Sequence, residues 1–321
     1  MLSFVGCNTP KFVPQGEYLL NKANIKVEDN KDVAVSSLKN YLQQKQNTEI
    51  LGFWKLQLGI YNTSPLDTTK WVSRNARKIG EAPVIYSPEL TDRSIAQLHK
   101  AMQNKGYFRA QVDTTMRVKD RKIDITYHIQ AGKPYTIRRY NVDFQQEELQ
   151  QVAQNQRNAL IREGMQFDVD MLNQERQRIT SAMRRNGCFY FEEDYIRFIA
   201  DSTRGREQVD LTVCMHDYFY QLTPAQQEQV FRHYKIAHVH FHIDYEIGRA
   251  PEGERMRASM KGDYEFTWVG DKLLRENVLI RNCPIQPGDM YNEARVERAY
   301  SSLNQLAPIK YVDISFDSIS E

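Results

Sequence analysis

Several kinds of chemistry are excluded by what this 321-residue sequence does not contain. No stretch approaches the run of about 20 apolar residues that a membrane-spanning helix needs. No charge of one sign dominates: 43 basic and 41 acidic residues leave a formal net charge of +2, too little to gather a polyanion. Cysteine is scarce, and Cys7, Cys188, Cys214 and Cys283 share no CxxC spacing and no zinc-finger distance to a histidine, so no structural metal site is expected. Neither GxSxG nor GxxxxGK occurs, which removes two common signatures of catalysis. No two glycines stand three apart, so a GxxG nucleic-acid clamp is also missing.

What is present is one structural phrase written three times. The first copy runs through Pro83-Val84-Ile85-Tyr86-Ser87, a helical stretch with Ile95, Leu98 and Met102, then Gly106-Tyr107-Phe108 and the alternating run Lys122–Ile129. The second repeats that order with Met165-Gln166-Phe167-Asp168, a helix with Leu172, Ile179, Ala182 and Met183, then Gly187-Cys188-Phe189 and Val209–Val213. Phe167 follows Tyr86, and Gly187 follows Gly106, by the same 81 positions. The third copy has Pro287–Asn292, a helix with Val296, Ala299, Tyr300 and Leu303, and Ala307–Tyr311; its spacing predicts a second helix about one turn shorter. Repetition points to a string of modules rather than one catalytic pocket.

The order of elements predicts an α+β fold of tandem β-α-α-β-β modules, each a small three-stranded sheet on two helices. Residues 1–15 read as a leader remnant and tether, 16–134 as the first module with an insertion at about 49–82, and 135–216 as the second. Residues 217–232 read as a connector and 233–321 as a third module lacking its last strand. Tyr18 to Val27 reads as a strand, followed by a helix of about three turns carrying Val33, Leu38, Tyr41 and Leu42. The second module's first helix is marked by Leu149, Val152, Ala153 and Leu160, and its second runs from about Asp170, a candidate N-cap, to Gly187, a left-handed stop. Thr223-Pro224-Ala225-Gln226 has the form of a capping box. Gly248 to Gly262 reads as a mobile loop, with Tyr264–Trp268 pairing back as an extra strand.

A β-α-α-β-β module whose second helix ends in Gly-Tyr-Phe, followed by a hairpin and the phrase Tyr127–Ile137, resembles a polypeptide-transport-associated (POTRA) domain. Gln286–Asn292 is similar to the turn between that domain's helices. Leu2-Ser3-Phe4-Val5-Gly6-Cys7 resembles a bacterial lipobox within a longer leader, with Cys7 the lipidated residue. Together with Gly16–Lys22 and Gly80–Tyr86, these features resemble the TamL-like lipoproteins of the outer-membrane assembly-factor superfamily that includes TamA and BamA.

The resemblance implies a periplasmic, non-enzymatic scaffold at the outer membrane, anchored in lipid through Cys7. It also implies unfolded outer-membrane protein clients, a TamB-like partner and a C-terminal β-barrel of the protein's own, although no ladder of amphipathic strands follows the third copy. Clients would add as a strand to the sheet edge that follows each second helix. The family places that edge here at Arg109, Ala110, Gln111, Val112, Asp113, Thr114, Thr115 and Met116, and at Tyr195, Ile196, Arg197, Phe198 and Ile199. A purely structural arm that docks a TamB-like partner is the competing reading.

The enzymatic alternative rests on His238, His240 and His242, which share one strand face with His233 nearby and invite comparison with a zinc hydrolase. Val239, Phe241 and Ile243 form the opposite face, which has to be the core face, so the histidines are expected to look outward without a ligand shell. No cofactor and no nucleic acid is expected. The acidic pairs Glu147-Glu148 and Glu192-Glu193 read as solvated surface. Phe53, Trp54, Trp71, Tyr218, Phe219 and Tyr220 read as core or packing aromatics, and the sequence leaves open whether Cys188 and Cys214 pair.

Overall fold

The computed structural model describes residues 12–48, 57–58, 61, 78, 80–155, 157–203, 207–243, 257–269 and 274–319. Cys7, Phe53, Trp54, Trp71 and almost all of the 49–82 insertion lie outside the described residues. Among the described residues the architecture is α+β, with three separate three-stranded sheets.

The first sheet contains β1 (Leu19–Val27), β2 (Gln111–Lys119) and β3 (Lys122–Gln130) in the order β1-β3-β2. β1 runs parallel to β3, and β2 pairs with β3 antiparallel in unbroken register from Gln111↔Gln130 to Lys119↔Lys122. Asp120 and Arg121 close the hairpin with φ of 50° and 57°, the left-handed pair that a two-residue turn of matching twist requires. The strict alternation read in the sequence puts Ile123, Ile125, Tyr127 and Ile129 in the core. They pack against Leu98, Ala101 and Met102 of α2 (Pro88–Asn104), which starts at Ser87, whose hydroxyl accepts from Leu90 N, with Pro88 in the first turn.

Before α2, the expected three-turn helix is only α1 (Val35–Leu38) continued by a 3-10 turn over Lys39–Tyr41. The polar run behind it is the reason: Gln44 and Asn47 are buried and spend their amides on the chain that leads into α2. Gln44 bridges Ile85 O and Ser87 N, while Asn47 donates to Ala82 O at 2.7 Å and accepts from Val84 N at 3.1 Å.

The second sheet has β4 (Thr136–Asp143), β5 (Ile196–Asp201) and β6 (Gln208–Met215) in the order β4-β6-β5. Val209, Leu211, Val213 and Met215 of β6 are buried. α3 (Glu147–Gln154) ends before Leu160, which is exposed. α4 spans Val169–Arg185, and its N-cap is Asp168 rather than Asp170, because the Asp168 carboxylate accepts from Asp170 N at 2.9 Å. Gly187 follows with φ 109°. α5 (Asp217–Tyr220) and α6 (Pro224–Phe231) follow β6; Thr223 and Gln226 form the capping box, and Phe219 and Val230 complete the second core.

The third sheet, β7 (Val239–Ile243), β8 (Arg257–Lys261) and β9 (Tyr264–Trp268), repeats the order of the first as β7-β9-β8, with β7 parallel to β9 and β8 antiparallel to it. Its hairpin precedes the helices, whereas in the first two sheets it follows them. Arg257–Lys261 is therefore a strand in a segment read as loop. Arg-Ala-Ser-Met-Lys alternates, but its apolar Ala258 and Met260 are exposed rather than buried, so burial gives no signal and backbone pairing to β9 defines the strand. α7 (Glu276–Asn282) and α8 (Glu293–Asn304) follow; α8 has 12 residues against 17 in α4, a shortening of more than one turn. Among the described residues no strand follows α8, and Val312, Ile314 and Phe316 pack on the third core.

Candidate polypeptide-binding edge and module junctions

β2 is an outer strand: one side pairs with β3 and the other has no strand neighbour among the described residues. Residues opposite one another across a pair share a face, so Val112, Thr114, Met116 and Val118 lie on the same face as the buried Ile129, Tyr127, Ile125 and Ile123. Yet Met116 is 45% and Val118 55% exposed, and the Tyr86 hydroxyl reaches Met116 Sδ at 3.5 Å. A groove of about 360 Å³ opens between α2 and β2, lined by Asp92, Ile95, Ala96, His99 and Val112. The opposite face is polar. Thr115 Oγ1 lies 2.8 Å from His128 Nε2, His128 Nδ1 lies 2.7 Å from Glu28, and Lys26 reaches Glu28 at 2.9 Å. His128 first, then Lys26, holds the Glu28 carboxyl below its ordinary pKa.

Of the first edge segment, Gln111–Met116 lie in β2, while Arg109 and the buried Ala110 precede it and the strand continues to Lys119. Of the second, Ile196–Ile199 lie in β5, the outer strand of its sheet, and Tyr195 sits buried in a preceding 3-10 turn, stacked on Tyr218. The β5 edge is more encumbered: Arg197 is tied to Asp217, and the Arg176 guanidinium lies 5.9 Å from the Phe198 ring centre. Ile199 is exposed.

The repeated phrases meet at junctions built to one plan. At the first, Tyr135 N donates to Gly106 O at 2.8 Å, Phe167 N to Tyr135 O at 2.8 Å, and Ile137 N to Met165 O at 2.7 Å. At the second, Tyr234 N donates to Gly187 O at 3.0 Å, Tyr291 N to Tyr234 O at 2.8 Å, and Ile236 N to Asp289 O at 2.8 Å. The start of the chain has a shorter version, Tyr86 N to Tyr18 O at 2.8 Å. Phe108 packs on Tyr135 and Phe167, and 81 positions later Phe189 packs on Tyr234 and Tyr291. A cation closes each junction. Lys105 binds Asp168 at 2.9 Å and Asp170 at 2.8 Å; burial works against its charge, but the two carboxylates outweigh it and hold the ammonium pKa above its usual value. Arg184 binds Glu293 at 2.6 Å and the Tyr291 hydroxyl at 3.0 Å.

The His240 and His242 rings lie with centres 3.7 Å apart and planes tilted by 38°, and both reach Thr267 Oγ1, at 2.9 and 2.8 Å. Burial first, then the neighbouring His240, lowers the His242 pKa. Val239, Phe241 and Ile243 face the third core. Among the described residues the groups that converge as metal-ligand types are Glu148, Cys188 and His233 instead. Glu148, read from the sequence as solvated surface, pairs with His233 at 3.0 Å. Cys188, Cys214 and Cys283 are free thiols, and burial pushes Cys188 up to about 12. Phe219 is buried, while Tyr218 and Tyr220 are about half exposed. No helix among the described residues is long and apolar enough to cross a membrane.

Three small three-stranded sheets, each packed against helices, make up a modular architecture in which β2, β5 and β8 are outer strands with no second strand neighbour among the described residues. The POTRA family model (surface antigen variable number repeat) matches residues 22–132. Among the described residues, the α+β architecture of three small three-stranded sheets with helices matches the fold expected of tandem POTRA modules. Among solved structures, the chain is similar to Haemophilus influenzae BamA POTRA3-5, with 14% identity, 96% of this chain and 93% of that one covered, and a TM-score of 0.43. It is also similar to the N-terminal domain of Omp85 from Thermosynechococcus elongatus, with 12% identity, coverage of 95% and 92%, and a TM-score of 0.28. No curated protein matches this sequence.

Proposed function

We propose that this chain is the periplasmic POTRA region of an outer-membrane assembly factor and takes up extended polypeptide as an added strand on the free edge of β2. The observation that carries this reading is the β2 edge itself, where unpaired backbone lies beside the exposed Met116 and Val118 and the α2–β2 groove. Backbone pairing there supplies affinity without demanding a client sequence, and the apolar positions favour strands with an alternating apolar face. The β5 edge is a second, more restricted station. We place the modules at 16–134, 135–216 and 233–321, with the connector at 217–232. The resemblance to TamL-like lipoproteins extends the proposal to a lipid anchor on Cys7, a TamB-like partner and a C-terminal barrel that receives the clients. Mass spectrometry of the mature N-terminus from cells expressing the full gene is expected to find diacylglycerol on Cys7; an unmodified Cys7 in the membrane fraction removes the anchor from the proposal.

The edge is tested by peptide titration followed by backbone NMR. Successive residues of an antiparallel edge strand point their N–H groups alternately inward and outward, so one of Thr114 and Thr115 offers its donor to the client. Proline at that position leaves the β2–β3 ladder intact and is expected to weaken binding of an extended peptide by at least about tenfold, while Thr114→Ala changes little. Folded variants of both Thr114→Pro and Thr115→Pro that bind as the parent does would remove β2 as the client site. The structural-arm reading, which the repeated backbone bridges at the two junctions favour, would then stand in its place.

A further inference from the structure

We propose that Glu148, Cys188 and His233 form a binding site for a zinc-type divalent cation. The three side chains come from α3, from the turn that ends α4 and from the residue that precedes Tyr234, and one ligand atom of each lies within 4.8 Å of the others. His233 Nε2 and Glu148 Oε2 stand 3.0 Å apart, close to the roughly 3.3 Å that two ligands take around a tetrahedral zinc with bonds of about 2.0–2.1 Å. Cys188 Sγ completes a sulfur, nitrogen and oxygen set suited to zinc or cobalt(II), whereas magnesium and calcium prefer oxygen alone. Glu148 is already oriented: its other oxygen, Oε1, accepts from Asn186 Nδ2 at 3.4 Å. Cys188 is fully buried, while the His233 and Glu148 side chains are 41% and 36% exposed, so the ion enters from their side and keeps a fourth position for water.

Binding is coordination without redox change. Cys188 binds as the thiolate and its proton passes to solvent. Gly187 and Tyr234 are already joined by backbone, so the ion adds side-chain bonds where the chain enters the third module. The repeat does not supply this site elsewhere. In the first junction Tyr107 stands where Cys188 does, and Pro134, before Tyr135, stands where His233 does. Among the described residues this ligand set occurs at the second junction alone.

The test is titration of the full chain with cobalt(II) in a phosphine reductant, followed by competition with zinc. The expected result is one ion per chain, with a thiolate-to-cobalt charge-transfer band that zinc abolishes and a raised thermal midpoint in saturating zinc. Cys188→Ser removes the band, His233→Ala and Glu148→Gln each weaken binding at least about tenfold, and Cys214→Ser leaves it unchanged. If Cys188→Ser fails to fold, the more exposed His233 decides the matter. A folded parent without the band, or a band that His233→Ala does not weaken, overturns the site and leaves His233 and Glu148 as an ordinary surface ion pair.

Discussion

Arg178→Ala is expected to lower the unfolding free energy by about 3–5 kcal/mol, a large share of what holds a domain of this size together. Glu175 is completely buried in α4, and the Arg178 side chain is only 16% exposed. Arg178 Nε and Nη2 each reach the carboxylate at 2.8 Å, and the remaining acceptor capacity takes Leu160 N at 3.0 Å. Tyr140 lies beside the pair, and burial, followed by the Glu175 charge, raises its phenol pKa. Removing Arg178 leaves the carboxylate desolvated with no counter-ion, the costly half of a broken buried pair. Replacing both partners by apolar residues, Glu175→Leu with Arg178→Met, should restore most of the loss, because the desolvation cost then vanishes with the charges. Urea unfolding of both variants decides this. A loss below about 1 kcal/mol for Arg178→Ala would mean that water reaches Glu175 and that the pair acts like a surface one.

Glu175 also marks where the sequence stops being readable. Leu172, Ile179 and Met183 outline a helical stripe, and Glu175 falls inside it, a charge at a core position that only a buried partner explains. The legible parts were those governed by local periodicity. β3 and β6 alternate strictly, the capping box at Thr223 has its own signature, and the equal 81-residue spacings announce the junctions that place Phe108 and Phe189 alike. The illegible parts depend on partners remote in sequence. β8 is short and leaves its apolar Ala258 and Met260 exposed, so only its pairing to β9 marks it as a strand, and α1 stops early because Gln44 and Asn47 are claimed by backbone about 40 residues away. Glu148, Cys188 and His233 are likewise separated by about 40 residues at each step, and no spacing rule joins them. The β2 edge lies between these cases. Its polar composition showed, but the exposure of Met116 and Val118, on the same face as the buried Ile125 and Ile123, is set by tertiary packing that no local pattern announces.

Alanine at Gly106 is expected to cost about 1–3 kcal/mol more than alanine at Gly164. The two glycines have nearly the same backbone, φ 84° and 85°, so the strain of placing an L-residue in left-handed conformation, about 1–2 kcal/mol, is common to both and cancels in the comparison. Their surroundings differ. A Cβ at Gly164 meets nothing within 4 Å, whereas at Gly106 it would stand 2.7 Å from Phe167 O and 3.3 Å from Tyr135 O. These oxygens belong to the junction itself, and Tyr135 O accepts the Phe167 amide, so the neighbour cannot yield without opening that bridge. At Gly187 the close atoms are Met290 Cγ and Sδ at 2.9 Å, the flexible part of a side chain that can turn aside. Chemical unfolding of Gly106→Ala and Gly164→Ala gives the difference directly, and equal losses would mean that the close approach of Gly106 to Phe167 contributes nothing. Peptide titration of the same Gly106→Ala protein then separates the two roles of the module. A destabilised chain whose β2 edge still binds extended peptide shows that the junction and the client edge are independent, as backbone pairing on an outer strand requires.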